Sequence, residues 1–229
     1  DAFLSMSKDV LKDLRQFDNT KPAAYTPHPL YDNYGAGIDI SQARKQLNLD
    51  PNGKYLLFFG FIRKYKGLDL LLEAMADKRI ATQNIQLIIA GEYYSDEPFY
   101  KEIIERLHIQ ERLKMFTDFI PNDEVKLYFS AADCVVQPYR TATQSGISQI
   151  AYHFEKPMIV TNVGGLPEIV PDGEVGFVTA VDSQAIADAI LKFYNKVDEH
   201  SFQRAIQIEK EKYQWHHFTD TILNLYSKL

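Results

Sequence analysis

Cysteine and tryptophan occur once each in this chain of 229 residues, and basic residues are fewer than acidic ones. The lone Cys134 excludes an internal disulfide and a cysteine-based zinc site, and its setting in the apolar run CVVQP reads as a buried structural thiol. With 25 Lys and Arg against 31 Asp and Glu, the formal net charge is -6. That balance excludes the broad basic surface of a nucleic-acid or general anionic-membrane binder, so any anion site must be local. No stretch approaches the roughly 18–20 uninterrupted apolar residues of a membrane helix, and no signal-peptide pattern opens the chain. The expected location is cytoplasmic.

Several motifs are missing as well. GFIRKYKG does not have the spacing of the G-x-x-x-x-G-K-[ST] phosphate loop, and no G-x-G-x-x-G follows the first long apolar run. No G-x-S-x-G elbow occurs, which removes the signature of a serine hydrolase. His28, His108, His153 and His200 are scattered, and His216–His217 has no cysteine nearby, so no metal site is expected.

What is present is alternation. KYLLFFG is a continuous apolar run of the kind that suits a strand buried on both faces of a parallel sheet. A helix follows over about 67–78, with Leu68, Leu71, Leu72 and Met75 at helical spacing. Then come the strand IQLIIAG, the helix PFYKEIIERLHI, the strand LKMFT and a helix opened by Asn122. DCVVQP, PMIVT and GFVT read as further strands, with SGISQIAYHF and SQAIADAILKFYNK as helices. About six strands alternating with helices predict an α/β fold, a doubly wound parallel sheet with extra terminal helices. The expected division is a lead-in segment with a short helix over 1–40, a Rossmann-like domain over 41–199 that starts with a helix capped by Ser41, and a helical extension over 200–229. Because the chain opens at Asp1 with SKDVLKDL and a proline-broken stretch, it reads as a domain entered from its middle, a fragment of a longer parent.

In such sheets ligands sit beyond the carboxyl ends of the strands. Three turns fall there. Gly60 to Gly67 places Arg63, Lys64 and Lys66 before a helix whose dipole already leaves positive charge, which is unfavourable unless an anion binds; the alternative is a solvated basic loop. Gln137 to Tyr152 brings Thr141, Thr143, Ser145 and Gly146 ahead of a helix, suited to an anion or sugar, or to plain capping. In TNVGGLPEIV, Gly164 and Gly165 permit a tight turn before Glu168, whose carboxylate can accept from ligand hydroxyls or cap the next helix.

FFGFIRKYKGLDLLLEAM, LIIAGE, DFIPNDEVKLYFSAADCVVQPY and GISQIAYHFEKPMIVTNVGGLPEIVPDGEVGFV occur in that order. Together they resemble the carboxyl-terminal domain of the retaining, GT-B-fold glycosyl transferases group 1 family, over roughly Lys54 to Lys196. The resemblance implies a Rossmann-like half of a GT-B fold that holds a nucleotide diphosphate sugar as donor and transfers the sugar, with retention, to a saccharide or lipid acceptor in polysaccharide biosynthesis. It implies that Arg63 and Lys66 clamp the diphosphate and stabilise the charge on the leaving nucleotide. Donor contacts would come from Gly60, Gly91, Ile120, Thr143, Gln144, Ser145, Gly146, Gln149 and Glu168, with backbone near Ile120 meeting the base. No metal and no cofactor are implied. The acceptor-binding domain would belong to the amino-terminal part of the parent chain, leaving this domain inactive alone, and peripheral membrane association through the parent is compatible with the likeness.

Two departures stand out. Where many members carry Arg directly after the strand glycine this chain has Phe61, and Arg63 stands two residues further on. The family's pair of glutamates falls on Ala142 and Ile150, with Gln144 and Gln149 as neutral neighbours that bind hydroxyls less strongly than a carboxylate. A non-catalytic sugar-binding or scaffolding module of the same fold is therefore the alternative from another class. A related epimerase or phosphorylase is a further option, although no pyridoxal-phosphate lysine context is found. A receiver-like domain would need acids where Gly60 and Arg63 stand.

Overall fold

The apolar runs become strands and the 3.6-periodic stretches become helices in a computed structural model that describes residues 1–196 and 199–229. In chain order the elements are β1 (Phe3–Ser5), α1 (Lys8–Phe17), β2 (Ala23–Tyr25), α2 (Ile40–Gln46), β3 (Lys54–Phe59), α3 (Leu68–Met75), α4 (Lys78–Thr82), β4 (Ile85–Ala90), α5 (Glu97–Leu107), β5 (Leu113–Phe116), α6 (Val125–Ala131), β6 (Cys134–Gln137), α7 (Gly146–His153), β7 (Met158–Thr161), α8 (Leu166–Ile169), β8 (Gly176–Thr179), α9 (Ser183–Lys196), α10 (Glu199–Glu209) and α11 (Trp215–Tyr226).

The main sheet has six parallel strands in the order β5-β4-β3-β6-β7-β8. Succession runs outward from β3 to β5, crosses back, and runs outward again from β6 to β8. Strand order therefore reverses between β3 and β6, where α/β sheets open a crevice at their carboxyl edge. Tyr55 to Phe58 in β3 are at most 1% exposed, because helices cover both faces: α3 packs with α5 and α9, and α2 packs with α6. Each such side chain withdrawn from water stabilises the fold by about 1.5–3 kcal/mol. Cys134 lies in this core, and burial holds its thiol well above the usual range, as expected of a structural residue.

Local chemistry moved several boundaries. Helix α2 is capped by Asp39, whose carboxylate accepts from Gln42 N–H at 3.0 Å, so Ser41 is not the cap. The helix expected over 67–78 stops at Met75, and Asp77 caps the separate α4 by accepting from Arg79 N–H at 2.8 Å. Asn122 does not open α6; it belongs to a turn closed by Glu124 N–H on Pro121 O at 3.0 Å, and the helix starts at Val125. The lead-in also holds more than a helix. Strands β1 and β2 pair in parallel around α1, Phe3 opposite Ala23. Three-residue strands carry too little periodicity to read beforehand.

Candidate functional site

Strand β3 leaves the sheet at Gly60, which has φ +91°, a region that favours glycine. A Cβ there would lie 3.0 Å from Lys66 Nζ and 3.4 Å from Ile147 Cδ1, so the ammonium and the first turn of α7 share the space above bare backbone. A single 3-10 turn, Lys64–Lys66, brings the lysine round to that point. Gly67 then takes φ +68°, and a Cβ on it would fall 2.0 Å from Pro138 O, so this turn is seated directly on the end of β6.

Lys66 is only 8% exposed, and its Nζ lies 5.9 Å from the centre of the Tyr139 ring. Among the described residues no carboxylate or hydrogen-bond acceptor pairs with it. Burial, with the charge of Arg63 second, pushes its pKa down to about 8. The Arg63 guanidinium is 4.1 Å from the centre of the Tyr94 ring and 5.9 Å from that of Phe61, and its Nε is buried without a partner. Two cations held near one another without a counter-charge are costly in the free protein and favourable once an anion enters. Beside them, Tyr139 Oη lies 3.3 Å from Ser145 Oγ, and Ser145 makes no side-chain cap bond to α7. Ser148 N–H donates to Ser145 O at 3.1 Å, and the N–H groups of Gly146 and Ile147 stand ahead of it at the helix start, the end that suits an anion.

Gly60, Gly91 and Ile120 come together. With Phe59, Phe61 and Phe119 they line a cleft of about 130 Å³. Gly91 has φ +134°, and a Cβ on it would sit 2.6 Å from Gly60 O, so the two strand ends touch backbone to backbone.

The remaining candidates lie apart from that cleft. Thr143 and Gln144 border a space of about 400 Å³ whose other wall is β1 and α1. The Gly164–Gly165 turn packs against the same loop, since Cβ atoms there would fall 1.5 Å from Ala142 O and 2.5 Å from Thr143 O. Glu168, in α8, faces a narrow space of about 10 Å³ together with Gln144, Tyr25 and His28. Lys66 is not among the residues that line this space. Gln149 is fully buried, with neither amide atom partnered, so it does not face an open cavity.

Sequence reasoning passed over Tyr139, Tyr94 and Phe119, and over Tyr25 and His28 beside Glu168. Tyr139 follows a strand-ending proline and was within reach; Tyr25 and His28 come from the lead-in segment, whose packing no local pattern announces.

The family model for glycosyl transferases group 1 matches residues 39–212. The D-inositol 3-phosphate glycosyltransferase of Segniliparus rotundus is 33% identical over 150 residues, covering 64% of this chain and 33% of that protein. The lipopolysaccharide 1,2-N-acetylglucosaminetransferase of Salmonella typhimurium is 26% identical over 181 residues, 75% of this chain and 48% of that one. The matches thus span half or less of these relatives. Among solved structures, Anabaena HepE in complex with UDP superposes with a TM-score of 0.83 at 21% identity, over 99% of this chain and 63% of that one, a likeness of fold.

Proposed function

The chain belongs to the glycosyl transferases group 1 family, and on that premise we propose that it is the donor-binding half of an enzyme that moves a sugar, with retention, from a nucleotide diphosphate sugar to a saccharide or lipid acceptor. The observation that carries the reading is Lys66, a buried ammonium that no carboxylate among the described residues answers, at the switch point between β3 and β6. Lys66 and Arg63 hold the diphosphate and stabilise the charge that grows on the leaving nucleotide, so the reaction needs no metal. The cleft of Gly60, Gly91 and Ile120 takes the base. Thr143, Gln144, Ser145, Gly146 and Glu168 serve the sugar end.

The names of similar proteins support the donor and the pathway class: HepE was solved with UDP-glucose, and the Salmonella relative is named for lipopolysaccharide. The proposal includes a place in polysaccharide biosynthesis in the cytoplasm, with peripheral membrane association through the parent protein. The lead-in (1–40), nucleotide-sugar domain (41–199) and helical extension (200–229) are the working division. A further domain of the parent would bind the acceptor, so this chain alone binds donor and barely turns over.

Titration calorimetry with UDP, GDP and ADP tests the reading. Arg63→Ala with Lys66→Ala is expected to abolish diphosphate binding while the thermal unfolding transition persists. Equal affinity in both proteins would remove the clamp. A second reading, a non-catalytic module, is favoured by Ala142 and Ile150 at the family's glutamate positions; it requires that the chain, joined to its acceptor domain, bind donor without transferring sugar.

A further inference from the structure

Two buried tyrosines end on one carbonyl. Tyr152 Oη, from α7, donates to Ile169 O at 2.5 Å, and Tyr213 Oη, from the segment before α11, reaches the same oxygen at 3.5 Å; their rings are 4.9 Å apart. Ile169 directly follows Glu168 and ends α8, a helix of four residues that cannot hold its own orientation in water. Burial pushes both phenols up, so both remain O–H donors throughout the working pH range.

The terminal segment also grips the lead-in. Leu30 N–H donates to Tyr213 O at 2.9 Å, and Trp215 Nε1–H donates to Leu30 O at 3.1 Å. Two residues before Leu30 stands His28, which shares the narrow space with Glu168 and Gln144. One residue after it stands Tyr31, whose Cε2 would lie 2.8 Å from a Cβ on Gly146, at the start of α7. One short stretch, Tyr213 to Trp215, thus holds the Glu168 turn on one side and the wall facing it on the other.

We infer that Tyr213, together with Tyr152 and through the Ile169 carbonyl, is a positioning residue that sets Glu168 for the sugar of the donor, which makes the terminal segment part of the site. The inference rests on the donor reading above and goes beyond it by assigning the sugar end to a segment outside the Rossmann-like domain.

Calorimetry with UDP-glucose, GDP-mannose and ADP-glucose, each against its own diphosphate, supplies the test. Tyr213→Phe keeps the ring on Tyr152 and removes only the hydroxyl. It is expected to weaken the nucleotide sugar about fivefold while leaving the diphosphate within about twofold. On a Glu168→Ala background the same substitution is expected to add nothing, because both changes act on one group. Tyr152→Phe, which removes the shorter bond, is expected to repeat the pattern and serves if Tyr213→Phe fails to fold. Equal losses for sugar and diphosphate, an additive loss on the Glu168→Ala background, or no loss would each overturn the inference. An unsubstituted chain that binds a diphosphate but gains nothing from any sugar overturns it too, and leaves the diphosphate clamp standing. One that binds neither overturns the donor reading first.

Discussion

The two edges of the main sheet each bury a cation, and they treat it in opposite ways. At the amino edge Arg44 is 5% exposed and every arm of its guanidinium is engaged: Nε donates to Ala131 O at 2.9 Å, Nη1 to Pro51 O at 2.8 Å and Nη2 to Asp133 Oδ1 at 2.6 Å. Asp133 is completed on its other oxygen by Tyr55 N–H at 2.7 Å and Tyr194 Oη at 3.0 Å. At the carboxyl edge Lys66 is buried to a similar degree, yet nothing among the described residues answers its charge. A cation that ties α2 to the strand ends is finished within the chain. One left unanswered costs the folded state, and an anion that entered would offset that cost.

The contrast breaks most visibly at Asp133. Asp133→Ala strips the partner from a buried guanidinium and leaves two further donors unmet, so a loss of about 3–5 kcal/mol is expected in chemical denaturation. A loss below about 1 kcal/mol would mean that the amino edge tolerates an unpaired charge, and Lys66 would then lose its distinction.

Lys66 is expected to respond with the opposite sign. The burial that lowers its pKa from 10.5 to about 8 costs the folded protein on the order of 3 kcal/mol at neutral pH. Lys66→Met should therefore stabilise the free chain by about 1–3 kcal/mol while removing diphosphate binding. The pH dependence carries the same sign. Between about 8 and 10.5 the unfolded chain binds more protons than the folded one, so stability contributed by this group rises with pH across that window. Diphosphate affinity moves the other way, falling as pH rises through about 8, toward tenfold per pH unit if only the ammonium binds. The stability slope should vanish in Lys66→Met. A Lys66→Met protein that is less stable than its parent would show that the ammonium is answered in the free chain after all.

How much of this the sequence announced depends on range. The continuous run at β3 revealed a strand covered on both faces, because period and composition are local, and the cations before α3 marked a candidate anion site because a helix start makes them unfavourable. What was not legible is where side chains turn. Lys66 folds back over Gly60, whereas Arg63 lies on Tyr94, and nothing in RKYK distinguishes the two. Gln149 looked like a polar substitute on a helix face and is fully buried. Glu168 was expected among the donor contacts, but nothing local told that the Gly-Gly turn would carry it against residues 142–144 and the lead-in, a packing fixed by contacts far apart in sequence.

The smallest expected effect sharpens the comparison, because it separates position from pairing. Arg140 stands at the carboxyl edge, just past β6, but its guanidinium meets Asp69 at 2.5 Å and its side chain is 40% exposed. By position it belongs with Lys66; by pairing it belongs with Arg44. If pairing decides, Arg140→Gln leaves diphosphate affinity within about twofold and costs under about 1 kcal/mol of stability, as exposed ion pairs do. Loss of diphosphate binding in that variant would show that any cation at this edge serves the ligand. The unfinished state of Lys66 would then be a consequence of crowding among several cations, with no claim to mark the site by itself.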